Sequence, residues 1–579
     1  MRASRRAVVV AFTALALFGS VSIATASNGD TVPQPSGTKR FIFEETSGGY
    51  SNFSHITGST YKNGPVTDFS CNSPDDPTCT GLPNLMLNLI VPPCTASSLP
   101  TDMCVKGLEI ANAAGVLEPA VFDHEVDTQK IAASAKAKTP AGGGTSIWKS
   151  ASGNHLGGTN SYGVSINIRY NIDFNPKTFQ PGIGYVFYFN AAVVPFTYKD
   201  GAYKPVSWFK DTVDPRGFIY MQNNAPGCEW TELGKCAVRS DFQLDQKIAL
   251  TLQMDSRLTG WLFGRMKDVS IGFNSLTPTT NLIRVESTAI DVPTGYADIT
   301  SEQVAKDPDL QKVFSNCGGA GAPCIINRPQ GDRMNWGFDG TDPSMAIASI
   351  KGKGYADIVA PYLKTFPVRN SQWNLQGLTQ SGFTQGQWKN CFGDTTKFQG
   401  IVTTNSMVYD PSPPSYVDDA LTYKVAGAHV GYDQETVFKG TYDLAIRSEA
   451  VRCLYNFTSA PIKVTVSVTS SDGTSQNVAT EAVQEKDGWL TLRARNFTFS
   501  APTIRLKLSQ EAAVAPVVKP AQPSAPAATA PATAPVAATS GAVKPATAKK
   551  STITCAKGKT VKKVSGITPK CPVGYKRTA

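Results

Sequence analysis

From Val164 to Phe174 the chain alternates without a break. Val164, Ile166, Ile168, Tyr170, Ile172 and Phe174 are apolar, and Ser165, Asn167, Arg169, Asn171 and Asp173 between them are polar. Successive side chains of a strand point to opposite faces, whereas a helix would scatter this pattern around its circumference. The segment therefore predicts a half-buried β-strand. Ile248, Leu250, Leu252 and Met254 repeat the pattern, as do Val269, Ile271 and Phe273, and then Ile283 and Val285. Asn175-Pro176 and Thr277-Pro278 supply turn chemistry between the runs. Residues 27–300 thus predict a large antiparallel sandwich-type domain with long loops.

Helical periodicity is sparse. A Ser-capped helix from Ser301 to Ser315, with Val304, Leu310, Val313 and Phe314 on its apolar side, is expected to break at Pro308. A second candidate runs from Pro343 to about Leu363 and is weakened by Gly352, Gly354 and Pro361. Residues 301–372 are accordingly read as a bridge with short helices. Residues 373–511 return to strand patterning. Ile462, Val464, Val466 and Val468 alternate with polar residues, a turn follows at Ser470–Gly473, and Val478–Val483 predicts a return strand. Lys486-Asp487-Gly488 turns again before Leu490, Leu492 and Ala494, and Ile504, Leu506 and Leu508 close the series. Four strands at hairpin spacing predict an immunoglobulin-like sandwich. The fold class is therefore mainly β: two antiparallel sandwich-type domains joined by a short helical bridge.

The ends of the chain read differently. Arg2, Arg5 and Arg6, the apolar run Ala7–Phe18 and the small residues Ala24-Thr25-Ala26 make residues 1–26 an expected secretory signal, cleaved after Ala26. No later stretch has the length of an apolar membrane span; Tyr185–Tyr198 comes nearest and is interrupted by Asn190 and Pro195. Residues 512–550 are dominated by Ala, Pro, Thr, Val and Ser, which cannot bury a core and predicts an extended linker. Residues 551–579 form a short basic module.

Twelve cysteines fall into local couples: Cys71/Cys79, Cys94/Cys104, Cys228/Cys236, Cys317/Cys324 and Cys555/Cys571, leaving Cys391/Cys453. In an exported chain this predicts disulfides, since zinc sites call for close Cys-x-x-Cys knuckles that are missing here. The formal charge of +10 is also a local property. Residues 512–579 carry eleven Lys and Arg and no acid. Setting these aside, with the three leader arginines, leaves 41 basic residues against 45 acidic ones. A mildly acidic body argues against nucleic-acid binding. A tethered basic tail fits anionic wall or surface polymers, through Lys557, Lys559, Lys562, Lys563, Lys570 and Lys576.

The run Ile553-Thr554-Cys555-Ala556-Lys557-Gly558-Lys559, closed by Lys570-Cys571-Pro572-Val573-Gly574-Tyr575-Lys576 after a Pro/Ala linker, resembles the Lys-rich two-Cys tail of certain exported actinobacterial proteins. The resemblance covers fewer than 30 residues. It implies an envelope or extracellular setting and implies nothing about the body's activity.

Catalytic chemistry leaves little trace. The densest polar cluster is Asp123-His124-Glu125-Val126-Asp127. On a regular strand Asp123, Glu125 and Asp127 would share one face and His124 would take the other. The cluster lacks zinc-hydrolase spacing, and an exposed acidic loop is its simplest reading. No Gly-x-Ser-x-Gly elbow or phosphate-binding loop occurs, and Asp339–Asp342 reads as a turn rather than a calcium loop. Neither a metal nor a cofactor is expected. Trp148, Trp208, Phe209, Trp261, Phe263, Trp336, Phe338, Trp373 and Trp388 sit mostly beside polar or small residues. They are candidates for sugar-stacking platforms or for sandwich core. The composite expectation is an exported, non-enzymatic envelope protein with a carbohydrate-binding body. A polysaccharide hydrolase with unidentified carboxylates and a self-assembling surface protein are the alternatives.

Overall fold

A computed structural model describes the chain from residue 32 to 510, with breaks chiefly at 46–52, 60–67, 211–218, 222–226, 316–326, 339–348 and 379–390, and then strands at 551–557, 560–566 and 576–578. The expected leader and linker lie outside the described residues. The chain divides into two compact units, Met1–Ala513 and Val514–Ala579. Strand is 56% of the structure and helix 6%, as the alternation requires.

The 164–174 alternation belongs to strand Ser161–Asn175, which pairs along most of its length with strand Tyr185–Asp200. These two long strands organise a sixteen-stranded sheet. On one side of them lie strands Asn84–Ile90, His55–Ser59 and Asp68–Cys71; on the other lie Asn374–Leu378, Gly260–Arg265, Phe398–Thr404, Lys439–Arg447, Trp489–Thr498 and Ala479–Lys486. Strand Asn374–Leu378 sits between Tyr185–Asp200 and Gly260–Arg265, so one continuous sheet crosses the border expected between residues 300 and 373. The sheets are mixed rather than purely antiparallel. Gly260–Arg265 runs parallel to Phe398–Thr404, and Thr38–Glu45 runs parallel to Arg333–Phe338.

Two cores lie against this sheet. Ile166, Ile168, Tyr170, Leu87, Leu89 and Phe189 pack against Ile248, Leu250, Leu252, Met254 and Val285 of a five-stranded sheet. Farther along, Trp261, Phe263, Val402, Leu444 and Leu492 pack against Tyr409, Leu421, Tyr423, Ile504 and Leu506 of a six-stranded sheet. The four strands expected at hairpin spacing are present but not as one meander. Ile462–Thr469 pairs with Thr503–Gln510 in the second layer, while Ala479–Lys486 pairs with Trp489–Thr498 in the large sheet. The chain switches layers because each strand has one apolar face to bury, and both layers offer a surface.

The helix expected from Ser301 is two helices, Ser301–Lys306 and Pro308–Ser315, divided at Pro308. Its cap is Thr300 rather than Ser301. The Thr300 hydroxyl accepts from the Gln303 amide while the Gln303 side chain accepts from the Thr300 amide. In the second helical candidate, described residues form the strand pair Ser349–Ile350 and Lys353–Gly354 and a 3-10 turn at Ala360–Tyr362.

Four of the six expected disulfides are formed: Cys71–Cys79, Cys94–Cys104, Cys228–Cys236 and Cys391–Cys453. The expected bridge from Cys317 to Cys324 is not among them. Cys317 and Cys324 both lie outside the described residues. The expected bridge from Cys555 to Cys571 is not among them either, because the Cys555 side chain and all of Cys571 lie outside the described residues. The four bridges formed fit an oxidising, extracytoplasmic environment. Among the described residues no helix is long and apolar enough to cross a membrane.

Candidate functional site

The two long strands outrun their neighbours in the large sheet. Beyond that point the start of Ser161–Asn175 pairs with Ser146–Lys149, which pairs with Val121–Glu125. The end of Tyr185–Asp200 pairs with Lys235–Arg239, which pairs with Trp230–Glu232. Six strands therefore form a side sheet with Val121–Glu125 and Trp230–Glu232 as its two edges. Its inner face carries Ile147, Val194, Phe196, Trp230 and Ala237, all buried. Phe196 meets the Trp230 ring edge-on at 4.6 Å and Tyr198 at 5.0 Å. Gly163 is required here: a Cβ at that position would lie 2.3 Å from Trp230 Cη2.

The edges meet through side chains. His124 Nε2 is 3.0 Å from Glu232 Oε1, and His124 Nδ1 is 2.8 Å from Asp123 Oδ2. Lys149 Nζ donates to Asp123 Oδ1 at 2.8 Å. The resulting chain, Lys149–Asp123–His124–Glu232, closes the six strands into a ring. The hydrogen bonds from Lys149 and then His124 hold the Asp123 carboxyl below the usual carboxylate range. Behind Glu232 lie the Tyr198 hydroxyl and the Trp230 indole N–H. The three groups converge, and burial followed by the Glu232 carboxylate pushes the Tyr198 phenol up. Neither Tyr198 Oη nor Trp230 Nε1 reaches hydrogen-bonding geometry with any described residue. The Lys235 ammonium lies 5.1 Å above the Tyr198 ring. The side chains of Leu233 and Phe122, on the two edges of the side sheet, are exposed.

This arrangement corrects the expected strand geometry of the polar cluster. The ladder with Ser146–Lys149 skips a residue between Phe122 and His124, so Asp123 is the extra residue of a β-bulge. The bulge breaks the alternation that would have placed Asp123 and His124 on opposite faces, and lets the carboxylate close on the imidazole. Glu125 joins a different group. It pairs with Lys130 and accepts from the Gly144 amide at 2.6 Å. A Cβ at Gly143 would lie 2.0 Å from Glu125 Oε1, so the Gly142–Gly144 run is shaped to seat this carboxylate rather than a phosphate. Asp127 lies beyond the strand and is exposed. Paired acids acting on a glycosidic bond need open space between them for substrate and water. Here the imidazole fills the space between Asp123 and Glu232, and both of its nitrogens are occupied.

The other histidines are held in the body. His155 is buried, its Nδ1 accepting from the Gly157 amide and its Nε2 facing the Phe196 carbonyl, both at 3.0 Å. Burial keeps its pKa below the usual value. His429 Nδ1 lies 3.4 Å from the Phe499 carbonyl. His55 is buried beside Arg169, and burial chiefly, with the Arg169 charge, brings its pKa down to about 4 from 6.5. The folded state thus binds fewer protons than the unfolded chain between these values. The stability linked to neutral His55 is complete above pH 6.5 and is lost as pH falls toward 4. The loss is about 3 kcal/mol at one pKa unit per 1.4 kcal/mol. Urea unfolding at pH 7 and pH 4 should show wild type losing that much more than His55→Gln; equal losses would refute it.

Four of the nine candidate aromatics are core rather than platforms. Trp148, Trp261, Phe263 and Trp373 are all buried, and Trp373 Nε1 donates to Ser287 Oγ at 2.7 Å. These four are core. The side chains of Trp208, Phe209, Trp336 and Phe338, and Trp388 itself, lie outside the described residues, as does the Asp339–Asp342 turn. Trp230 and Tyr198, which line the ring, carried no sequence signal beyond their own strand patterning.

The basic tail forms a three-stranded sheet. Strand Ser551–Lys557 pairs with Thr560–Gly566 on one side and Lys576–Thr578 on the other. Its register sets Lys562 and Arg577 on either side of Cys555, and Lys576 beside Ala556. Lys563 pairs with Thr554 and Lys557 with Thr560. Lys559 and Lys570 lie outside the described residues. Among the described residues no group of three or more His, Cys, Asp and Glu is arranged to hold a metal ion. Comparison with protein-family models, with curated proteins and with solved structures finds no match to this chain.

Proposed function

We propose that this is an exported, non-enzymatic surface protein. Its basic C-terminal module contacts an anionic wall or surface polymer while its β-rich body holds a second, hydroxyl-rich ligand such as a carbohydrate. The observation that carries this reading is the segregation of charge: eleven basic residues and no acid in 512–579, against a mildly acidic remainder. A positive module on a Pro/Ala tether can hold a polyanion without strong individual contacts, and the tether raises the body's local concentration at that surface. The register of the tail sheet supports the reading, because it brings Lys562, Arg577 and Lys576 to adjacent positions across three strands. In this reading the two-layer region from Phe398 to Gln510 is an immunoglobulin-like module that builds the body.

Three polar groups behind the seam of the six-strand ring support the body's part. An indole N–H, a phenol and a carboxylate converge there without bonding to one another at normal geometry. The indole nitrogen and the phenol oxygen are shielded in the closed ring, so a ligand hydroxyl would accept from the first and donate to the last once the ring opens, and aromatic faces suit the apolar side of a sugar ring.

Co-sedimentation of the mature protein with insoluble cell wall, at low and high salt, beside a form ending at Glu511, tests the tail. The full-length protein is expected to sediment at low salt and to be released at high salt, and the shortened form to stay in solution. Equal, salt-independent sedimentation of both forms would move the contact to the body and overturn the tail's role. Absence of sedimentation by either form would overturn wall association altogether.

A further inference from the structure

The six-strand ring is closed by chemistry unlike that of the rest of the sheet. Strand Val121–Glu125 has a ladder partner only in Ser146–Lys149, and Trp230–Glu232 only in Lys235–Arg239, among the described residues. Both edge strands are short, at five and three residues. Across the gap between them the bond from His124 to Glu232 takes the place of a backbone ladder. His124 is 39% exposed, and Asp123 and Glu232 are 34% and 17% exposed, so protons reach the group freely.

We propose that His124 makes this closure a pH-responsive seam, in which the imidazolium form holds the two edge strands together and loss of its proton releases them. The chemistry follows from the two carboxylates. An imidazolium has two N–H donors and satisfies Asp123 and Glu232 at once. A neutral imidazole has one N–H, so its other nitrogen turns a lone pair toward a carboxylate oxygen. Asp123 is also held by Lys149, on the strand to which it is already paired. The bond to Glu232 spans the gap and is the one whose loss opens the ring.

Lys149 lies on Asp123, and Lys235 lies over Tyr198 and pairs in register with Glu232. The Tyr198 phenol is raised and stays neutral through the pH range in which histidines titrate. Glu125 is engaged by Lys130 and Gly144. Imidazole is the side-chain type whose charge ordinarily changes between pH 5 and 8, and His124 is the imidazole between the two edges. Opening would uncover Trp230, Tyr198 and Phe196. The effect on ligand binding rests on the reading of the ring's polar groups proposed above, whereas the seam itself does not.

Hydrogen exchange of the full mature protein between pH 5 and pH 8, corrected for intrinsic amide rates, tests it. Amides of Val121–Glu125 and Trp230–Glu232 should exchange roughly three- to tenfold faster at pH 8 than at pH 5, the range open to one partly exposed charge-assisted hydrogen bond. His124→Gln, which cannot gain the charge, should show no such change. Glu232→Gln, which weakens the seam from the other side, should exchange fast at both pH values. Wild-type protection that is flat with pH, or that changes as much in His124→Gln, would overturn the proposal. Titration of the same samples with cellotetraose reads the ligand separately. A pH-dependent seam without cellotetraose binding keeps the seam and removes the carbohydrate reading; cellotetraose binding with flat exchange does the reverse.

Discussion

Replacing Asp443 by alanine is expected to destabilise the body by about 3–5 kcal/mol, the usual cost of removing one partner from a buried ion pair. Asp443 is 4% exposed and sits on strand Lys439–Arg447, in the large sheet. Its carboxylate pairs with Arg495 of the neighbouring strand Trp489–Thr498 and accepts from the Asp268 amide. Asp268 lies at a positive φ of 58° beside a bulge in the strand Lys267–Thr277 and itself pairs with Arg495 at 2.9 Å. One buried carboxylate thus ties the edge of the five-stranded sheet to the large sheet. Alanine removes the buried carboxylate that Arg495 pairs with and leaves the Asp268 amide without its acceptor. Asp443→Asn keeps an acceptor for that amide and should cost less. Urea unfolding of both variants at neutral pH measures the difference. A loss below about 1 kcal/mol for the alanine variant would mean that the pair is no more than an exposed one.

The second large effect is expected from the Cys391–Cys453 bridge. It joins residues 62 apart and ties the segment before strand Phe398–Thr404 to helix Ser448–Tyr455. By the entropy of closing a loop of this length, converting both cysteines to serine should cost about 4 kcal/mol, against about 2.5 kcal/mol for a short bridge such as Cys71–Cys79. The comparison matters more than either value, because the two bridges differ more than sevenfold in loop length, being 62 and 8 residues apart. Unfolding under non-reducing conditions of the two double-serine variants checks it. A larger loss for the short bridge would show that native contacts around it, and not chain entropy, dominate.

These two features differ in how far the sequence announced them. The bridge was legible as the last couple left once the neighbouring cysteines were paired. That elimination set Cys317 with Cys324 and Cys555 with Cys571, two pairings that fall outside the described residues. The Asp443 network was not legible, because its three members stand at positions 268, 443 and 495 and each belongs to an ordinary strand pattern. The same contrast runs through the candidate site. Asp123 and His124 stood out as a polar cluster, but Glu232 is 108 residues away and nothing in its own neighbourhood marked it. The bulge at Asp123 was equally hidden, since alternation assumes a regular ladder and says nothing of where a residue is skipped.

What the sequence determined by itself is what depends on neighbours a few residues apart. Period-two alternation identified the strands at 164–174, 248–254 and 462–468. Pro308 divided the helix, and close cysteine spacing marked three of the bridges formed. Tertiary structure alone decided which strands became partners. It placed Asn374–Leu378 inside the first sheet, sent consecutive strands after residue 460 to opposite layers, turned Trp261 and Trp373 into core, and brought His124 to Glu232. The reason is physical: a strand's pattern says which face it must bury, but many surfaces offer an apolar face of the same period, and only the packed chain selects among them.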